Sequence, residues 1–255
     1  MTSKYAVGDV HGRADLLGPL LASIKKDAEG LHERPEIVFL GDIVDRGSAS
    51  RRAMELVGET LADYPGSVLI LGNHDVLFRS FLDGTASDAM VDHWLTQLGG
   101  YTTLDSYLPD RPGNLDEVRA AIVELVPSHL DLLNAGLDKV IDDHFCFVHA
   151  GIRPGVPINE QDPHDLRWIR EEFLDHDLPL ERIIVHGHTP TESCFPDVFG
   201  NRICLDTGAY HSGRLTAARF ERDSLQAIFF AEHGGVEVIA PGDLQEVRAA
   251  RIERG

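Results

Sequence analysis

Short apolar runs that end abruptly in glycine-flanked clusters of Asp, Asn and His constrain this chain more than any other feature. The runs occupy residues 5–7, 37–40, 67–71, 145–148, 183–185 and 203–205, and five of them pass directly into a polar motif. Runs of this length, rich in apolar and β-branched residues, read as buried strands, and the amphipathic stretches between them read as helices. That alternation predicts a layered α/β domain. Polar residues at the strand ends then fall on loops held by a rigid scaffold, where such folds build their sites.

The first motif is Gly8-Asp9-Val10-His11-Gly12. Alternate residues of an extended segment face the same way, so Asp9 and His11 can grip one cation. The second, Gly41-Asp42-Ile43-Val44-Asp45-Arg46-Gly47, brings two carboxylates and a guanidinium. A carboxylate buried there needs a cation or a donor. Asp42 suits a bridge between two metals, and the planar fork of Arg46 matches phosphate oxygens. In Gly72-Asn73-His74-Asp75, neighbouring turn residues point apart, so Asn73 can bind metal while His74 faces substrate as a proton donor oriented by Asp45. The bland reading of Asn73 is a helix cap. Val148-His149-Ala150-Gly151 and Val185-His186-Gly187-His188-Thr189 each put imidazole after a strand. Either alone would be structural; with the other motifs they supply enough ligands for two hard or borderline cations.

The ordered set GDVHG, GDIVDRG, GNHD, HAG and GHT resembles the phosphoprotein phosphatase family of calcineurin-like metallophosphoesterases, bacterial serine/threonine protein phosphatase type, over roughly residues 5–219. The resemblance implies a four-layer β-sandwich flanked by helices. It implies that Asp9, His11 and Asp42 hold one metal, that Asp42, Asn73, His149 and His188 hold the other, and that Asp45 and His74 act as an acid pair. His186, on the wrong side of the glycine in HGHT, then supports ligands without being one. A phosphate clamp of Arg46 and a second arginine is implied too. The segment Asp165-Leu166-Arg167-Trp168-Ile169-Arg170 resembles the family's WxRE stretch, which selects Arg170 over Arg167 and Arg153. Residues 205–210 and 213–217 resemble the bacterial DTGxxxGGxLTA segment, with Ser212 replacing its first glycine and Tyr210 bordering the pocket.

The implied chemistry is in-line attack on phosphorus by a hydroxide shared between two divalent ions. The mixed His, Asp and Asn set suits manganese, iron or zinc better than calcium, and manganese is the first choice. The expected activity is a metal-dependent phosphomonoesterase, foremost a serine/threonine or dual-specificity protein phosphatase. The alternative is a symmetrical diadenosine tetraphosphate hydrolase or other nucleotide phosphatase. The substrate is thus a phosphorylated protein or a small phosphoester.

A net charge of −19 argues against nucleic acid or anionic membrane as partner, since both demand a surplus of Lys and Arg. No apolar run reaches the roughly 20 residues of a membrane span, and no basic-then-apolar leader opens the chain. Three cysteines without CxxC spacing suggest buried thiols in a reducing, cytoplasmic setting. The chain is expected to form one domain over residues 1–255. A helical insert at about 76–135 lies beside the site, the segments at 227–232 and 236–240 suit antiparallel strands of a second sheet, and a charged surface helix runs from 243 to 255.

Overall fold

The structure, a computed structural model, describes residues 2–252. Its first part alternates strand and helix: β1 (Thr2–Val7), α1 (Ala14–Gly30), β2 (Arg34–Phe39), α2 (Ser50–Asp63) and β3 (Val68–Leu69). A helical stretch follows, α3 (Asn73–Leu82), α4 (Asp88–Gln97), α5 (Gly100–Tyr107), α6 (Leu115–Leu125) and α7 (Pro127–Asn134). Next come β4 (Lys139–Ile141), β5 (Phe145–Val148), α8 (Pro163–Trp168), α9 (Glu171–Leu174), β6 (Ile183–His186), β7 (Asp197–Val198) and β8 (Arg202–Cys204). The chain closes with α10 (Ala209–Ser212), β9 (Leu215–Glu221), β10 (Ser224–Glu232), β11 (Gly235–Ile239) and α11 (Leu244–Ile252).

Two mixed sheets result, one ordered β11-β10-β9-β1-β2-β3 and the other β4-β5-β6-β8-β7. Strand periodicity explains the layering. Along β1, Tyr5 and Val7 pack toward the helices while Ala6 faces the opposite sheet; along β2, Ile37 and Phe39 go outward and Val38 inward. Phe145 and Phe147 of β5 meet Ala6, Val38 and Phe220 between the sheets, whereas Cys146 and Val148 pack outward on Leu166 and Phe173. Helix, sheet, sheet and helix thus form the four layers expected from the sequence.

One expectation needs correcting. The strands near 227–232 and 236–240 extend the first sheet; the second sheet is built from the middle of the chain. The cause is the free edge of β1, which pairs antiparallel with β9, from Lys4↔Phe220 to Val7↔Ala217. β9 carries β10 and β11 on its other side. Alternation along a strand reports its faces, not the edge it joins. The closing helix also does more than cover a surface, because Leu244 is buried with Phe195, Ile228 and Phe230; residues 253–255 of that expected helix lie outside the described residues. Cys146 and Cys204 are buried, while Cys194 is half-buried with its Sγ 3.8 Å from His211 Nε2. No helix among the described residues is long and apolar enough to cross a membrane.

Candidate active site

The loops after β1, β2, β3, β5 and β6 converge, and they do so in strained backbone. His11, Asp42, Asp45, Arg46 and His188 have φ of 45°, 51°, 74°, 67° and 68°. Left-handed geometry is costly for residues with a Cβ and collects where a fold over-determines a site. Gly187 is required for a different reason: a Cβ there would sit 1.9 Å from Asp9 Oδ1. That close approach lets the His188 amide donate to both Asp9 oxygens, at 3.2 and 3.1 Å.

Asp42 is the hub. Its Oδ2 lies 3.5 Å from His11 Nε2, 3.5 Å from His149 Nε2 and 3.9 Å from His74 Nε2. Oδ1 accepts the His74 amide at 3.0 Å. Donor atoms of His11, Asp42 and His74 lie within 4.8 Å of one another, as do those of Asp42, His149 and His188. Asn73 Oδ1 joins the second group, 3.1 Å from His149 Nε2 and 2.9 Å from His188 Nδ1. Asn73 is the first residue of α3, and Gly72 occupies the cap position. Asp9, expected with His11 and Asp42, belongs to neither of these groups of clustered donors, and His74 takes that place beside them; the Asp9 carboxylate lies on the Gly187–His188 turn.

Carbonyls fix the tautomers. His11 Nδ1 is 2.9 Å from Val44 O and His149 Nδ1 is 2.8 Å from Leu40 O. A carbonyl only accepts, so each Nδ1 carries hydrogen and Nε2 faces the centre, as a metal-ligating imidazole requires. Arg46 lies across the opening, Nη1 donating to His11 Nε2 at 2.8 Å and Nη2 to His74 Nε2 at 3.1 Å. Its guanidinium stacks 4.6 Å from the Tyr210 ring, which also meets His11 edge-on. His74 Nδ1 donates to Asp45 Oδ2 at 2.7 Å.

Electrostatics mark the region as built for cations. Burial, then the charge of Asp206, raises the Asp9 carboxyl well above the usual range. Burial also raises Asp42, but His149 and His74 outweigh it and hold Asp42 well below that range. His149 is pushed to about 10, Asp42 and Asp9 overcoming its desolvation; His188 falls to about 2 through burial and the His149 charge. His74 ends above the ordinary histidine value because Asp42 and Asp45 exceed the burial penalty. Two buried atoms here have no protein partner, His188 Nε2 and Asp206 Oδ2. Mutually facing carboxylates, imidazole nitrogens and an amide oxygen, with orphaned polar atoms among them, fit a divalent-metal centre.

Around this centre the structure separates the arginines. Arg167 pairs with Asp138, and Arg153 pairs with Asp165 at 2.7 Å. Arg170 is exposed, with only a 3.3 Å contact to Thr189 Oγ1, and its charge depresses His188. His186 is fully buried at the end of β6, Nδ1 3.1 Å from Gly187 O, its ring edge-on to Phe173 and its Nε2 without a partner. It is absent from both groups of clustered donors.

Sequence reasoning missed several contributors. Asp75 accepts the amides of Gly72 at 3.0 Å and Ile43 at 2.9 Å, tying two site loops together. Asp206, in the segment noted only for likeness, sits buried against Asp9 with Gly208 N on its Oδ1 at 2.9 Å. Trp94 and Thr103 both reach Asp45. The acid at the end of GNHD and the one opening DTG were the available signals; nothing local marked Trp94 or Thr103.

Comparison with known proteins agrees with the fold. The chain is 30% identical over 240 residues to the asymmetrical bis(5'-nucleosyl)-tetraphosphatase PrpE of Bacillus thuringiensis (strain Al Hakam), covering 85% of this chain and 90% of that protein. It is 31% identical over 238 residues to the namesake of Oceanobacillus iheyensis, covering 84% and 87%. Among solved structures, the cold-active protein-tyrosine phosphatase of a psychrophilic Shewanella superposes with a TM-score of 0.56 at 19% identity, covering 92% of this chain and 80% of that one. A likeness that distant speaks to fold alone. Residues 5–233 match the calcineurin-like phosphoesterase family, so the chain belongs to that family and is a metallophosphoesterase hydrolase.

Proposed function

We propose that the chain hydrolyses bis(5'-nucleosyl) polyphosphates in an asymmetrical manner, and the observation that carries this reading is the 30% identity over 85% of the chain to a tetraphosphatase of that name. The rim of the site supports it. Tyr210 and Trp168 are 38% and 36% exposed and stand next to His11 and His188 respectively. Half-exposed aromatic faces on either side of a phosphate site are suited to stacking on nucleobases. The symmetrical mode, which the sequence offered only as the alternative to a protein phosphatase, is the less favoured form of dinucleotide cleavage.

In this reading Asp9, His11 and Asp42 hold one divalent ion, and Asp42, Asn73, His149 and His188 hold the other, manganese first and iron or zinc next. Ions held by such a set supply Lewis acidity, lowering the pKa of water and offsetting phosphate charge. Arg46 and Arg170 take the non-bridging oxygens, Arg46 already aimed at the centre by its stack on Tyr210. His74 hands a proton to the departing oxygen, and Asp45 holds its ring by the 2.7 Å bond to Nδ1.

One observation favours the competing serine/threonine protein phosphatase: an acid pair matters most when the leaving group is a poor one such as a serine alkoxide. A panel in manganese of diadenosine tetraphosphate against phosphoserine, phosphothreonine and phosphotyrosine peptides decides between them. We expect kcat/KM for the dinucleotide to be higher by about ten-fold or more, a difference of about 1.4 kcal/mol in transition-state stabilisation, with one mono- and one triphosphate nucleotide as products. Higher values on the phosphopeptides would overturn the nucleotide assignment, and two nucleoside diphosphates as products would make the cleavage symmetrical.

A further inference from the structure

We propose that the helical stretch between β3 and β4 is part of the acid machinery: Trp94 on α4 and Thr103 on α5 are positioning residues that lock the Asp45 carboxylate, and through it the His74 ring, for proton donation. The inference rests on His74 being the proton donor, as proposed above.

Asp45 is fully buried, and both of its carboxylate oxygens are engaged, by three donors in all. Oδ2 accepts from His74 Nδ1 at 2.7 Å and from Trp94 Nε1 at 2.8 Å. Oδ1 accepts from Thr103 Oγ1 at 2.6 Å. The Asp45 amide returns the contact, donating to Thr103 Oγ1 at 2.8 Å and to Ser50 Oγ at 3.1 Å. The single Thr103 hydrogen is committed to Asp45, so Ser50, 3.0 Å away, must donate to Thr103. A network satisfied in this way admits one orientation of the carboxylate, because rotating it breaks bonds in a medium without water to replace them.

Packing alone does not explain these residues. The Trp94 ring lies 5.8 Å from Phe78 and 5.2 Å from Phe81, a role another aromatic could fill, yet its one polar atom is spent on Asp45. The turn between α4 and α5 is shaped to bring both donors to the same carboxylate. A Cβ on Gly100 would come within 2.5 Å of the indole, so α5 starts directly against Trp94. The stretch therefore reaches the chemistry through Asp45, without touching substrate.

The deciding comparison is Thr103→Val, close to Thr in volume but without the hydroxyl, against Thr103→Ser, which keeps it; Trp94→Phe and His74→Asn complete the set. Turnover is measured on aryl phosphates from 4-nitrophenyl, a good leaving group, to phenyl, a poor one. Thr103→Val and Trp94→Phe should lower kcat on phenyl phosphate about ten-fold with KM within about two-fold, while 4-nitrophenyl phosphate is nearly spared, as expected when a general acid is misaligned. Thr103→Ser should restore the wild-type pattern. Proton NMR of the same proteins without metal gives a readout independent of turnover. The downfield Nδ1–H resonance that disappears in His74→Asn should shift or broaden in Thr103→Val and Trp94→Phe, and return in Thr103→Ser. Equal losses on both esters, or an unmoved resonance in Thr103→Val at wild-type melting temperature, would overturn the proposal. If His74→Asn itself slows both esters equally, the donor reading is what fails, and the positioning role falls with it.

Discussion

His74 uses one ring nitrogen on Asp45 and turns the other to the open side of the centre, 3.1 Å from Arg46 Nη2. Removing that ring should leave the metal-binding side chains in place but take away the proton. His74→Asn is expected to retain metal by elemental analysis and to slow esters with poor leaving groups by roughly 100-fold or more. Loss of metal instead would make His74 a ligand, as its place in the group with His11 and Asp42 allows. The arginines divide by partner. Arg170→Ala should raise KM and lower kcat together, because a phosphate clamp acts in both ground and transition states, and Arg167→Ala should be milder since its guanidinium is already engaged in an ion pair with Asp138. For the two histidines of HGHT, His188→Ala should strip one metal while His186→Ala keeps both and loses about 10- to 100-fold in activity, the scale of changes behind the ligands. Metal titration of the two variants checks this, and the reverse pattern would put His186 in the coordination set. The histidines could be read from the sequence because His74, His186 and His188 lie at or within a few residues of a strand end, whereas Arg170, at the start of α9, was reached only through the likeness of its segment. The donors to Asp45 could not be read, lying 49 and 58 residues away with no local sign of the contact.

At the scale of elements, the strands that carry motifs stood out because their runs are buried on both faces and stop at the site. The short strands did not. β4 and β7 have three and two residues, too few for a period to register, and exist because a neighbouring strand offers an edge. The membership of β10 and β11 in the first sheet likewise depends on a pairing with β9 that strand patterning does not encode. The helical stretch was recognisable by periodicity, but its role was not. Within it, α7 carries a pH-sensitive contact away from the centre: His129, buried, has Nδ1 2.7 Å from Tyr107 OH. Burial lowers the His129 pKa below its ordinary value. A histidine with a depressed native pKa binds fewer protons folded than unfolded, so its contribution is full above an unfolded value of about 6.5 and is lost as pH falls through the folded one. Thermal melts of His129→Gln should therefore lose stability less steeply below about pH 6.5 than those of wild type. An identical acid limb would show that His129 does not contribute to it.

Across the whole molecule, two facing sheets bring five loops from distant parts of the sequence to one end, and their buried charges suit ions more than bulk protein. The formal charge of −19 includes Asp9, Asp42, Asp45, Asp75 and Asp206 in or around that centre, so part of the acidity belongs to the site and not to the surface. The central claim is that Asp42 stands between two divalent ions, one on the side of His11 and the other on the side of His149 and His188. Anomalous diffraction from crystals grown with manganese tests it most directly. Two peaks about 3.5–4 Å apart, with the Asp42 carboxylate between them, are the expected result. A single peak, or two peaks that Asp42 does not join, would contradict it.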